Sequence, residues 1–585
     1  MPIDRPHSPV RTVWRGGTVV DGTGATPYRA DVEVIGARIT AVGAVPAGQG
    51  VDIDISGKIL TPGFIDVHTH YDGQVTWAER LLPSSAHGVT TAVIGNCGVG
   101  FAPCRAADRD TLVHLMEGVE DIPEIVFTQG LPWTWESFSQ YLDFLAARQF
   151  DMDVCAYVPH AALRVYAMGE RGARRESASG TDRQAMRALV CEAMRAGAMG
   201  FSTSRTIHHR SSDGSNAPMY QASTEELVEL ALGLSDAGAG LLQVVAGFTE
   251  PERDFAVLRA MALASGRPLT VSLAQNHERP DDWRAIMAML EASAADGLDI
   301  SAQVCGRSVG MLLGLDMSLH PFTFHPGYQD IAALPLRERV ARLRQPELRA
   351  RILAEQPRAE GAANQRALAR VLDLDGIYEL RTPPDYEPRE RDSIAARARE
   401  RGVAPAELAY ELMLRDEGGF TFMRPLHNYA HRDLQVCREM LVHPLTYLGL
   451  GDGGAHCGYI CDASLPTFML THWTRDRGHG LLPLETVVRK LTVDGARLMG
   501  LADRGRIAPG LKADINVIDY ALLQLEAPRV AYDLPGGGRR LLQDARGYAA
   551  TMVSGTVTQR DGVATGALPG ALVRGPAYRA GGDSE

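Results

Sequence analysis

The chain contains no uninterrupted apolar run of about 18 residues, the length a membrane-spanning helix requires, so a helical membrane protein is excluded. Its start, MPIDRPHSPVRTVWRGG, has no apolar core of the kind an export signal carries, and a cytoplasmic location is the expectation. The eight cysteines, at 97, 104, 155, 191, 305, 437, 457 and 461, form no CxxC pair. They are expected to stay reduced, which rules out a disulfide framework and leaves a cysteine available as a metal ligand. Positive charge is also short. A net charge of −12 and a pI near 5.8 argue against nucleic acid or an anionic membrane as the main partner. Lysine is nearly missing: only Lys58, Lys490 and Lys512 stand against 56 arginines, a skew that codon bias accounts for.

What is present is globular in composition, 45% hydrophobic and 22% charged. At 585 residues the chain has room for a barrel of about 250 to over 400 residues and a smaller domain beside it. Short β-rich runs broken by glycine fill residues 12–60 and return in KADINVIDY (512–520) and ATMVSGTVTQRDG (550–562), predicting a small antiparallel sheet. Between these ends, strand-like and helical stretches alternate as in a barrel. The strand-bearing stretches are 88–98, 152–164, 196–205, 238–247, 267–276, 297–307 and 445–456. STEELVELALGLSD (223–236) sets Ser and Thr before acidic residues and a 3.6-type apolar spacing, which predicts a capped helix. Residues 316–400 break the rhythm with Arg/Glu-rich stretches such as LRERVARLRQPELRARIL. They read as an inserted helical excursion near the mouth of the site, a lid or an oligomer contact, or as a plain solvated surface. The final GGDSE is expected to be disordered.

The most informative stretch is ILTPGFIDVHTH (59–70). Ile65-Asp66-Val67 follows the Pro62-Gly63 turn and reads as a buried strand. Strand side chains alternate, so His68 and His70 share a face about 7 Å apart and can grip one cation. Taken alone, so short a pattern is more often two unrelated core histidines. Cys97 closes the apolar run of VIGNCGVG before a glycine, where a buried cysteine is ordinarily just a small core residue. Asp452, in LGLGDGGAH, ends an apolar strand and opens a glycine-rich turn. A carboxylate buried there needs a cation or a water, unless it serves only to form the turn. Metal ions lower the pKa of bound water to about 7, and a neighbouring carboxylate can take its proton and pass it to a leaving nitrogen.

These segments carry a family resemblance. PGFID-x-HTH resembles the signature of the amidohydrolase superfamily. VTTAVIGNCGVGFAP, GDGGAHCGYICD and RGRIAPGLKADINVID resemble its D-aminoacylase branch, the N-acyl-D-amino-acid deacylases. The resemblance covers essentially the whole chain outside 316–400. It implies an α/β fold: a (β/α)8 TIM-like barrel over 61–499, interrupted at about 316–400, with a small β-sandwich domain built from 1–60 and 500–585. It also implies a divalent metal, zinc by preference, held by His68, His70, Cys97 and Asp452. Asp452 is then the catalytic proton carrier, and the Cys97 thiolate fills the role of the carboxylated lysine of other relatives. None of the three lysines falls at a barrel strand end.

The branch also ends its fifth and sixth strands with metal-binding histidines, and here the chain departs from it. LLQVVAG places Gln243 at the first position, while TVSLAQNH offers Gln275 with His277 slightly beyond. Glutamine is a weak zinc ligand beside imidazole. The expectation is therefore one ion, with a second site rescued by His277 or by His208 and His209 as the rival.

For substrate, GFSTSRTIHHR (200–210) follows the fourth strand, where barrel loops face the site. Arg205, His209 and Arg210 are candidates to hold a carboxylate, as is Arg307 in VCGRSVG; a surface salt bridge suits each arginine equally well. His160 matches a third-strand histidine of the family and reads as a substrate-side or supporting group. His427 and His431 in HNYAHRD would share a helical face, though a pocket-lining loop fits better. His456 lies close enough to Asp452 to help position substrate or leaving group. The reading is a metal-dependent amidohydrolase acting on a small substrate with an amide and a carboxylate, most simply an N-acyl-D-amino acid. A cyclic amide or imide is an alternative substrate. A catalytically inactive barrel kept for binding or assembly is the alternative of another class. A homo-oligomer is implied only by the family.

Overall fold

Eight parallel strands form the centre of the molecule: β1 (Phe64–Asp66), β2 (Val89–Ile94), β3 (Asp153–Pro159), β4 (Gly200–Arg205), β5 (Leu241–Ala246), β6 (Leu269–Leu273), β7 (Ile300–Val304) and β8 (Thr446–Leu448). Each pairs with the next in chain order, from β1 through β8. The ring closes through the tails of β1 and β8. Thr69 bridges Gly453, Asp452 N donates to His68 O at 3.1 Å, and His70 N donates to Gly453 O at 2.8 Å. This is a (β/α)8 barrel in a computed structural model that describes residues 11–578. The GGDSE terminus, for which the sequence predicts disorder, lies outside the described residues.

The strands run as near-continuous apolar segments because helices cover them. Every residue of β2 and β3 is buried. The capped helix expected near 223–236 spans Thr224–Ala237, and the Ser223 side chain accepts from Glu226 N. All seven of the predicted strand-bearing stretches hold a barrel strand.

Both chain ends meet in a second, mostly antiparallel sheet of nine strands. Ile59–Pro62, from the N-terminal part, pairs with Ile515–Ile518 from the C-terminal part. Val32, Val34, Leu60, Ile515 and Val517 fill its core, the inward half of an alternating pattern. Pro62 then leads straight into β1. Gly63 makes that step possible, since a Cβ there would lie 2.2 Å from Thr90 Oγ1.

Between β7 and β8 the chain makes a long detour with its own hydrophobic cluster around Leu313, Phe322, Ile352, Ile394 and Tyr410. The 316–400 excursion is its helical middle. The detour is framed by Val309–Leu313 and Phe422–His427, which pair antiparallel, with Tyr378–Glu379 joining the latter. Among the described residues no helix is long and apolar enough to cross a membrane. All eight cysteines are free and buried.

Candidate metal centre

The barrel strands carry chemistry at their C-terminal ends. Strand β1 stops at Asp66, so His68 and His70 sit just past it rather than within it. Their rings still face each other, with centroids 5.5 Å apart. Cys97 follows β2 in a turn where Gly95, Cys97 and Gly98 all have positive φ (78°, 58° and 72°). The glycines take that conformation freely, while the cysteine adopts it at a cost of about 1–2 kcal/mol. The turn is held from two sides. Cys97 N donates to Gln243 Oε1 at 3.0 Å, and Gly98 N donates to Ser202 Oγ at 3.1 Å. Asp452 follows β8 and is fixed by the same β1–β8 closure that places the histidines.

Three of these side chains converge, and Asp452 stands beside the two histidines. Cys97 Sγ lies 3.2 Å from His68 Nε2 and 3.5 Å from His70 Nε2. Asp452 Oδ1 lies 3.4 Å from His68 Nε2 and 3.9 Å from His70 Nε2, and it has no hydrogen-bond partner. A tetrahedral ion with ligands at about 2.0–2.3 Å holds its ligand atoms roughly 3.3–3.6 Å apart, close to the spacings of Cys97 from the two histidines and of Asp452 from His68. His68, His70 and Cys97 are the one group of three such ligands within 4.8 Å of one another among the described residues.

Burial sets the electrostatics. It pulls His68 down to about 4, opposed in part by Gln303, and holds His70 well below its ordinary value. It pushes the Cys97 thiol well up, with Glu120, Asp452 and Asp72 adding repulsion. It raises the Asp452 carboxyl to about 8, with Asp462 and Asp66 contributing. Four groups driven toward neutrality thus share one small volume. A divalent cation is the partner that lets the thiol and the carboxyl release their protons. The donor set fits a metal.

The outer nitrogens of both histidines face side chains that sequence reasoning missed. Gln303, on β7, accepts from His68 Nδ1 at 2.7 Å. Glu120, the last residue of the helix Arg109–Glu120, stands with Oε1 3.2 Å from His70 Nδ1. Its signal was legible: Leu112, Met116, Val119 and Glu120 lie on one buried stripe, where a glutamate is out of place.

Gln243 is spent on the Cys97 turn, and its Nε2 is unpaired. Gln275 is fully used by the 428–430 loop and Pro280: its N donates to Asn428 Oδ1, its Oε1 accepts from Ala430 N, and its Nε2 donates to Pro280 O. His277 Nε2 accepts from Tyr429 N. Gln275, read as a replaced-ligand position, and His277, read as a possible rescue of a second site, both anchor the 428–430 loop in this structure. The HNYAHRD stretch is a loop after the strand Phe422–His427, not a helix.

Three substrate candidates are also committed elsewhere. Arg307 pairs with Asp462 at 2.5 Å, donates to Cys461 O, and stacks on Tyr386. His160 is fully buried, with Thr203 Oγ1 at 2.8 Å and Glu226 Oε1 at 2.9 Å, so both ring nitrogens are taken. Arg210 donates to the backbone of its own loop at Ile207 and Gly214. Arg205 donates to Ala222 O but keeps an unpaired Nε. His209 and His456 remain beside the centre. Burial brings His209 to about 3 and His456 to about 4, and each sits close enough to His68 to feel its charge. One group came from the excursion. Arg370, on the helix Gly361–Leu372, lies near Tyr459 and disfavours protonation of His208 and His427 by its charge. It makes no ion pair among the described residues.

A parallel barrel with two histidines, a cysteine and an aspartate converging at its C-terminal face defines the class of metal-dependent hydrolases. The Amidohydrolase family profile matches residues 52–559, and the chain belongs to that family. It is a hydrolase of carbon–nitrogen bonds other than peptide bonds. The chain is 29% identical over 511 residues to a D-aminoacylase of Alcaligenes xylosoxydans xylosoxydans, covering 86% of this chain and 87% of that one. It is 29% identical over 518 residues to an N-acyl-D-aspartate deacylase of the same organism, covering 86% and 85%. Among solved structures, a D-aminoacylase described as having a binuclear metal centre, with one-metal activation and second-metal attenuation, superposes with a TM-score of 0.65 at 25% identity. That match covers 96% of this chain and 99% of the other.

Proposed function

We propose that the protein hydrolyses the amide bond of N-acyl-D-amino acids, using a single divalent cation held by His68, His70, Cys97 and Asp452. The observation that carries this reading is the convergence of two imidazoles and a thiol within 4.8 Å, beside the unpaired Asp452 Oδ1. Zinc suits the mixed nitrogen, sulfur and oxygen donors. A single ion is supported by the glutamines at strands β5 and β6, which are occupied in holding the Cys97 turn and the 428–430 loop.

When bound, the cation supplies Lewis acidity toward the amide carbonyl and acidifies water. Asp452 receives the proton of the attacking water on its free carboxylate oxygen and returns it to the leaving nitrogen, which would otherwise depart as a poor amide anion. The β1–β8 closure fixes Asp452 in register with His68, so the base and the reacting centre stay aligned. Arg370 and Arg205 supply positive charge for the substrate carboxylate, and His456 sits where it can steady the leaving group.

The test is a panel of N-acyl-D- and N-acyl-L-amino acids, assayed before and after chelation, with metal content measured on the purified protein. Hydrolysis of D substrates that chelation abolishes, with about one equivalent of metal per chain, is the expected result. Two tightly held equivalents would end the one-ion version, and L-selective hydrolysis would end the stereochemical one.

A further inference from the structure

Both ligand histidines point Nε2 at Cys97 Sγ, so each must carry its proton on Nδ1 when it binds a cation. For His68 the acceptor is plain: Gln303 Oε1 at 2.7 Å. For His70 the nearest acceptor is Glu120 Oε1 at 3.2 Å, at an angle that leaves Nδ1 without a hydrogen bond. Glu120 is 1% exposed, and its second oxygen, Oε2, has no hydrogen-bond partner either, with His456 Nε2 3.8 Å away.

Several buried carboxylates elsewhere in the molecule are neutralised by cationic side chains, whereas, among the described residues, those around the centre, Asp66, Asp72 and Asp452, are not. Asp462 has Arg307, Glu226 has Arg164, and Asp153 has Arg504 and Lys512. Glu120 has no such partner. A buried carboxylate flanked by imidazoles and by the carboxyls of Asp452 and Asp72, with no cationic side chain, is a poor choice for stability alone. It sits at the end of a helix whose stripe of Leu112, Met116 and Val119 is packed, so the helix drives it inward.

We infer that Glu120 is a positioning residue for the metal centre: it accepts the Nδ1 proton of His70, fixes the tautomer that presents Nε2, and strengthens His70 as a donor. The two histidines are then unequal ligands, one backed by a neutral amide and the other by a carboxylate. Outer partners of this kind change metal affinity by about 10–100-fold. The inference rests on the metal site proposed above, and the experiment separates the two.

Zinc and cobalt affinities are measured by chelator competition for wild type, E120Q, E120D and H70A, with the visible spectrum of the cobalt form and the thermal midpoint of the metal-free protein recorded beside them. E120Q is expected to bind metal about 10–100-fold more weakly and to shift the cobalt bands, while the metal-free protein melts at the same temperature or higher. E120D, which withdraws the carboxylate by one methylene, is expected to fall between wild type and E120Q. A structural glutamate would instead lower the metal-free midpoint and leave the cobalt bands in place. E120Q affinity within twofold of wild type, with an unchanged spectrum, overturns the inference, provided H70A has lost the metal. If H70A binds as wild type does, the metal site itself is misplaced. Should E120Q fail to fold, E120D carries the same test.

Discussion

At the scale of single residues, the site contrasts charges that have partners with charges that wait for one. Arg307 and Asp462 complete each other, and so do Arg164 and Glu226. Asp452 is not completed by any protein group, which suits a proton carrier. Replacing it with asparagine keeps its size and removes its basicity. D452N should lower kcat by about 10²–10⁴-fold with correct folding retained, as steady-state rates and circular dichroism will show; wild-type turnover in D452N would remove the carboxylate from the chemistry. Arg370 offers a second test at this scale. It lies on the excursion near Tyr459 and makes no ion pair among the described residues, so on the proposed role R370A should raise KM about 10–100-fold, the worth of a charge-assisted hydrogen bond of about 1.5–3 kcal/mol, and leave metal content unchanged. An unaltered KM would assign the substrate carboxylate to other groups, Arg205 first.

Among elements, the detour between β7 and β8 is tied to the barrel at several points, one of them a partly buried acid. Glu387 receives two bonds from Arg477 at 2.8 Å, one from Leu434 N at 2.8 Å, and lies 2.9 Å from His472 Nε2. Its carboxyl is still desolvated, but the hydrogen bonds and charges of Arg477 and His472 outweigh that and bring it down to about 2. A folded pKa below the unfolded value gives stability that is present above pH 4.5 and lost as pH falls toward 2. E387Q should therefore destabilise near pH 7 by leaving the Arg477 charge without a counter-charge, by up to about 3 kcal/mol, and the gap to wild type in urea midpoint should narrow below pH 4.5. A gap that stays constant down to pH 2.5 would contradict this assignment. The elements differ in how readable they were. Buried parallel strands are continuous apolar runs with glycine at their ends, so β2 to β8 could be located from the sequence. The detour could not be bounded, because Val309–Leu313 and Phe422–His427 have the same apolar character as barrel strands. The ligands His68, His70, Cys97 and Asp452 were visible because each closes a strand beside glycine or a second histidine. Arg307 also closes a strand, but its partner Asp462 lies 155 residues away, and no local pattern announces such a pairing. Gln303 was missed for a related reason, since a strand glutamine looks ordinary until the fold brings a histidine to it, whereas Glu120 carried a local signal in its place on an apolar helix stripe.

For the whole molecule, the proposed centre draws its ligands from three places, the tails of β1, β2 and β8. A ligand that binds only the folded state adds stability of about 4 kcal/mol at a thousandfold excess over its dissociation constant. Chelation should therefore lower amide-exchange protection at 66–72, 95–99 and 450–456 together, as exchange mass spectrometry can follow; a change limited to one segment would mean the ion does not bridge them. The seam between β1 and β8 has one more consequence. During synthesis the two histidines emerge early, yet the aspartate that faces them arrives only after the long detour has left the ribosome. On the proposed site, a chain lacking β8 would offer a cation the histidine pair and the thiol with no base beside them. Metal loading with full activity thus reports that the ring has shut, and a half-made chain has no means of starting the reaction early.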